Sequence, residues 1–168
     1  MKKVNNLAKG GIYTALSVIC IYLSTIIPTN KLFLLGAASC IIPLSILTTN
    51  LRNSLIVYGA SSLLSIVLGL RGAALSYLLF FGSYGFIKYY VERIRKLPME
   101  IALKLAFFNS CLYAIFKLYK MLFIGMLKIN IPMYYTVIML QVIFLIYDYG
   151  ITVFISYVNT RIIKKDAF

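Results

Sequence analysis

Histidine and tryptophan are missing from this 168-residue chain, and acids nearly so: Glu92, Glu100, Asp148 and Asp166 face 17 lysines and arginines. Without imidazole there is no histidine general base and no His-ligated metal centre. Four scattered carboxylates leave little for a two-carboxylate hydrolase or an oxygen-rich cation cage. The three cysteines, Cys20, Cys40 and Cys111, stand singly inside apolar runs without CxxC spacing, which fits small packing residues rather than metal or redox chemistry. These absences lead to a reading as a non-enzyme without metal or other cofactor.

What is abundant is hydrocarbon. Hydrophobic residues make up 62% of the chain and mean hydropathy is +0.93, against an apolar share of about 45–50% in soluble domains. Six apolar runs, at about residues 10–28, 32–48, 54–70, 72–91, 101–127 and 133–160, approach the roughly 20 residues that cross a hydrocarbon core. The second and third are short, which local thinning or snorkelling accommodates, and Pro43 is expected to bend the second. Backbone polar groups must pair internally in lipid and the period-2 alternation of a barrel is lacking, so the runs read as helices. The first run is longer than a signal-peptide core, and Ile26-Ile27-Pro28-Thr29 is a poor cleavage site, so it counts as a span. The expected fold is an all-α integral membrane protein: residues 1–168 form one domain, a single bundle of six transmembrane helices in the cell membrane.

Orientation follows from the basic residues. With a cytoplasmic amino terminus, Lys2, Lys3, Lys9, Arg52, Lys88, Arg93, Arg95, Lys96, Lys104, Arg161, Lys164 and Lys165 fall on or near the inner side, while Lys31, Arg71 and Lys128 mark the outer loops and Lys117 and Lys120 fall within or near the outer part of the fifth run. This asymmetry predicts that both termini are cytoplasmic. The formal charge of +13 is then accounted for by topology and anionic lipid headgroups, without nucleic-acid binding. The segment Lys88-Tyr89-Tyr90-Val91-Glu92-Arg93-Ile94-Arg95-Lys96 reads as an interfacial anchor with its basic tips in water.

The last two runs carry the most unusual polar pattern. Asn109, Tyr113, Lys117 and Lys120 follow i, i+4, i+8, i+11 spacing on the fifth, and Gln141, Asp148, Thr152, Ser156 and Asn159 form a stripe on the sixth that Tyr134 extends. An ionised residue at mid-membrane costs roughly 2.5–3.5 kcal/mol even on lenient insertion scales, so neither stripe is expected to face lipid. A symmetric turn at Asn130 sets Gln141 near Tyr119 and Asp148 near Ser110 and Cys111, too far along the axis from Lys117 to imply a direct pair. Two uses stay open: interhelical hydrogen bonding, or an outward-opening pocket in which Asn109, Tyr113, Lys117, Lys120, Tyr134, Gln141 and Asp148 take a small polar or anionic solute. The middle runs, rich in glycine, alanine and serine between Gly59 and Gly85, suit close helix packing.

The opening of the chain resembles the substrate-binding S components of energy-coupling-factor transporters. The resemblance rests on Gly11-Ile12-Tyr13-Thr14-Ala15-Leu16-Ser17-Val18, on Ile26-Ile27-Pro28 closing the first run, on Ile41-Ile42-Pro43-Leu44, and on the small-rich third run from Ser54. It covers the first half by pattern and the rest by topology; the first outer loop is shorter than in the family, and Thr48-Thr49-Asn50 stands where the family has glycines. It implies a bacterial importer subunit for a vitamin or a precursor, with Gly11 and Ala15 contacting a transmembrane coupling protein. The chain has no nucleotide-binding motif, so ATP use falls to separate ATPase subunits. The rival expectation is a membrane scaffold or assembly protein whose polar stripe only holds helices together.

Overall fold

The computed structural model describes residues 2–94, 96–122 and 133–160, with side chains at 4–27, 29–94, 96, 98–115, 117–118 and 137–160. Among the described residues every element is helical: α1 (Lys2–Ile26), α2 (Lys31–Thr48), α3 (Leu51–Val67), α4 (Arg71–Ser76), α5 (Gly82–Glu92), α6 (Leu97–Leu122) and α7 (Met133–Val158). A 3-10 turn, Pro28–Asn30, leads into α2, where proline's missing N–H costs nothing at a helix start. Pro43 is carried within α2. Gly69, at φ 76°, supplies the left-handed residue that ends α3 and turns the chain into α4.

Among the described residues three helices are long and apolar enough to cross a membrane, Val4–Ile26, Lys31–Thr48 and Val137–Val158, with α3 a shorter apolar helix. The distribution of polarity agrees with hydrocarbon surroundings. Outward faces carry Ile12, Ile19, Val67, Met139, Ile146 and Tyr149, all exposed, whereas Ser17, Ser24, Ser39, Ser45, Ser54, Ser61, Ser62 and Ser65 are buried. An apolar exterior of this extent is costly in water and neutral in lipid. Most of the buried hydroxyls bond carbonyls three or four residues back on their own helix, as Ser62 does to Tyr58 (2.8 Å) and Ser65 to Ser61 (2.7 Å). Ser54 Oγ makes such a bond to Asn50 O (3.1 Å) and also reaches Ser45 Oγ on α2 at 2.9 Å, and such small side chains let the helix axes draw close.

α2 lies centrally, touching α1, α3, α5 and α7. Between α4 and α5 the fourth apolar run departs from a plain α-helix in a π turn, Tyr77–Phe81. The wider turn disturbs the carbonyl ladder, and side chains take up the exposed oxygens. Tyr58 donates to Leu78 O (2.6 Å), while Leu79 O accepts from Ser83 (2.7 Å) and from the Cys111 thiol (3.2 Å). The π turn also sets the rotational phase of everything downstream on α5, and that phase builds the site.

Candidate functional site

Side chains four residues apart share one helix face. α5 places Tyr84, Lys88 and Glu92 in such a line, α6 places Glu100, Lys104 and Phe108, and α7 places Phe144, Asp148 and Thr152. The three lines converge on a buried ion network. Lys88 is 1% exposed and Lys104 4%, a burial that lysine tolerates only when paired.

Lys88 Nζ donates to an Asp148 carboxylate oxygen, to Thr152 Oγ1 (2.7 Å) and, at 3.3 Å, to the Asp148 carbonyl, and it forms an ion pair with Glu92 Oε1 at 2.7 Å. Lys104 Nζ donates to Glu100 Oε1 (2.7 Å) and Asp148 Oδ2 (2.9 Å), with Glu92 Oε1 at 3.4 Å. Tyr84 Oη completes the shell of Asp148, donating to Oδ1 at 2.5 Å. Asp148 on α7 is therefore bonded to α5 and α6 at once, and each lysine is also bonded to a glutamate on its own helix. The carboxylates are the more exposed partners, with side chains 32% exposed at Glu92, 19% at Glu100 and 16% at Asp148. The lysines lie behind them.

An aromatic layer closes the inner side of the network. Phe108 and Phe144 stack at 4.4 Å, Phe80 meets Phe108 edge-on at 5.6 Å, and Tyr84 meets Phe144 edge-on at 5.4 Å. Tyr147 borders this layer and bonds Ser39 on α2 through its hydroxyl. A buried aromatic face on one side and partly exposed carboxylates on the other concentrate the charge where few solvent dipoles compete for it.

Two sequence expectations are corrected here. Lys88 is not an interfacial anchor with its tip in water: the phase of α5 after the π turn aims it inward, and the Asp148 carboxylate offsets its desolvation. The α6–α7 register also differs from a symmetric turn at Asn130. Phe108 meets Phe144 and Lys104 meets Asp148, which displaces Asp148 and Gln141 along α6 by roughly two helical turns. Ion pairing and ring stacking fix this register, and neither is visible in a depth count.

Of the expected solute-binding residues, Asn109 and Gln141 come together, Gln141 Nε2 lying 3.5 Å from Asn109 Oδ1. Tyr113 and Lys117 are exposed along the same line of α6. Asp148 is separate from them, held in the ion network beyond the Phe108–Phe144 stack. Lys120 and Tyr134 lie outside the residues whose side chains are described. Gly11 and Ala15 are exposed on α1 and help line a groove of about 460 Å³ between α1 and α3, bounded also by Leu7, Gly10, Ala60 and Leu64. The sequence pattern that singled out Asp148 and Thr152 did not single out Tyr84, Lys88, Glu92, Glu100 and Lys104 as a site. Its available signal was the pair of four-residue spacings Lys88–Glu92 and Glu100–Lys104 in a chain with so few acids. No protein family matches this chain, and no curated protein or solved structure matches it either.

Proposed function

We propose that this chain is the solute-capturing membrane subunit of a bacterial importer, a six-span bundle in the cell membrane with both termini cytoplasmic, served by separate coupling and ATPase subunits. The observation that carries the reading is the division of polarity along α6 and α7. On one side of the aromatic layer the charges are paired with each other, which closes that end. On the other, Asn109 and Gln141 approach each other and Tyr113 and Lys117 continue an exposed polar line, leaving donors and an ammonium for a small polar or anionic solute. Positive-inside counting assigns the polar line to the outer half and the network to the inner half.

The test uses purified protein in nanodiscs, with thermal unfolding followed against vitamins, their precursors and small anionic solutes. A stabilising solute is expected, and Lys117→Met with Gln141→Leu is expected to abolish its shift while leaving the solute-free midpoint in place. No shift from any solute, or an undiminished shift in the double variant, contradicts the proposal.

The groove at Gly11 and Ala15 supports an association between α1 and an apolar partner helix. A Cβ built at Gly11 meets nothing within 4 Å, so Gly11→Val with Ala15→Val is expected to leave stability unchanged and fill the groove. Loss of co-purifying coupling and ATPase subunits, with solute binding retained, is the predicted result. The same groove favours a second reading as a membrane scaffold, which predicts co-purification with an unrelated assembly and no solute.

A further inference from the structure

The glutamates are the unexpected part of the ion network. To hold α7 against α5 and α6, Lys88 and Lys104 need only Asp148. Yet each lysine has a second carboxylate four residues away on its own helix, Glu92 for Lys88 and Glu100 for Lys104, both at 2.7 Å. Were α7 to withdraw, the lysines would not be stranded: Lys88–Glu92 and Lys104–Glu100 would remain as two neutral pairs. Asp148 alone would change surroundings, at an edge where Glu92 and Glu100 are already partly exposed.

We propose that the Lys88–Asp148–Lys104 network is a releasable clamp on α7, in which Glu92 and Glu100 compete with Asp148 for the two ammoniums so that α7 can leave α5 and α6 without uncovering an unpaired lysine. α7 is the helix suited to such release. Its apolar window is 11% buried, against 22% in α1 and 39% in α2. In lipid there is no hydrophobic drive between helices, so van der Waals packing and polar contacts together hold a helix in place. Among the described residues the polar contacts of α7 to other helices are Asp148 and Thr152 in the network, the Tyr147–Ser39 bond and the Gln141–Asn109 approach. The clamp does not depend on the solute reading, since it rests on the contacts among Lys88, Glu92, Glu100, Lys104 and Asp148 alone.

A static brace and a clamp differ in the sign of one effect. In a brace every charge helps, and deleting the glutamates loosens α7. In a clamp the glutamates are competitors, and deleting them tightens it. Ile151, 2% exposed on the inward face of α7, reports the difference as a cysteine. In full-length protein with Cys20, Cys40 and Cys111 replaced by alanine, held in nanodiscs without solute, Ile151→Cys is labelled with an uncharged, water-soluble methanethiosulfonate. Ile21→Cys on α1, 0% exposed, is the control whose rate stays constant in every background.

Asp148→Asn is expected to speed labelling of Cys at 151 about tenfold, equivalent to roughly 1.4 kcal/mol of lost attraction. Glu92→Gln with Glu100→Gln is expected to slow it about threefold, which corresponds to a smaller gain on the same scale. Removing nearby negative charge by itself favours the reactive thiolate and speeds labelling, so slowing is a result that local charge does not mimic. Faster labelling in both variants, or one rate in all three proteins, overturns the clamp. If Asp148→Asn does not fold, the glutamate variant decides alone: slowing supports the clamp, and an unchanged or faster rate overturns it.

Discussion

Lys88→Met is expected to destabilise the folded protein by about 3–5 kcal/mol, the cost of breaking a buried ion pair from one side. The substitution keeps most of the side chain's length and apolar stem but leaves Asp148, Glu92 and Glu100 around a single ammonium, that of Lys104. Two carboxylates then lack a counter-charge beside a dry aromatic layer, and the Tyr84 hydroxyl on Asp148 supplies only a neutral hydrogen bond. Asp148→Asn is expected to cost clearly less, because the remaining groups form two neutral pairs. The unfolding midpoints of the two variants, measured in the same nanodiscs, check this order. Equal losses, or a larger loss for Asp148→Asn, would show that the carboxylate of α7 and not the lysine of α5 is the indispensable charge.

Gly82→Val is the second large effect. A Cβ at this position comes within 2.6 Å of the Tyr58 ring and 3.1 Å of Tyr77. Tyr58 is poorly placed to retreat, since its hydroxyl bonds Leu78 O in the π turn at 2.6 Å and its ring meets Phe86 edge-on at 5.7 Å. Overpacking costs about 1–3 kcal/mol, and displacing Tyr58 forfeits a hydrogen bond worth about 1 kcal/mol. The loss is expected to be less than additive with Tyr58→Ala, which vacates the space, when both single variants and the double variant are unfolded thermally. Full additivity would mean that the clash is relieved by backbone movement elsewhere.

The helices were legible because lipid imposes a length. The run at 32–48 became Lys31–Thr48, and that at 54–70 became Leu51–Val67. The π turn was not legible: Tyr77-Leu78-Leu79-Phe80-Phe81 has the same hydropathy in either helix form, and only tertiary partners for Leu78 O and Leu79 O mark it. That one turn rotates α5, which is why Lys88 looked like a headgroup anchor and is instead buried. The stripe reading found Asp148 and the Asn109–Gln141 neighbourhood, because polar residues at helical spacing in apolar runs are conspicuous. It did not find their partners, because which face of α5 meets α7, and at what height, is decided by packing among three helices that share no local sequence. Gly11 and Ala15 stood out as small residues, and the groove beside them is formed jointly with Ala60 and Leu64 of α3.

Both the proposed closure of that end of the bundle and the proposed clamp require that the Asp148 carboxylate lie between two lysine ammoniums in a bilayer. Solid-state NMR of the lipid-embedded protein, with lysine side-chain nitrogen and aspartate carboxyl carbon labelled, measures that proximity through their dipolar coupling. The structure predicts strong dephasing of the Asp148 carboxyl by two lysine nitrogens, reduced by Lys88→Met and reduced again when Lys104→Met is added. A carboxyl signal that decays as if no lysine were within ion-pair distance would contradict it.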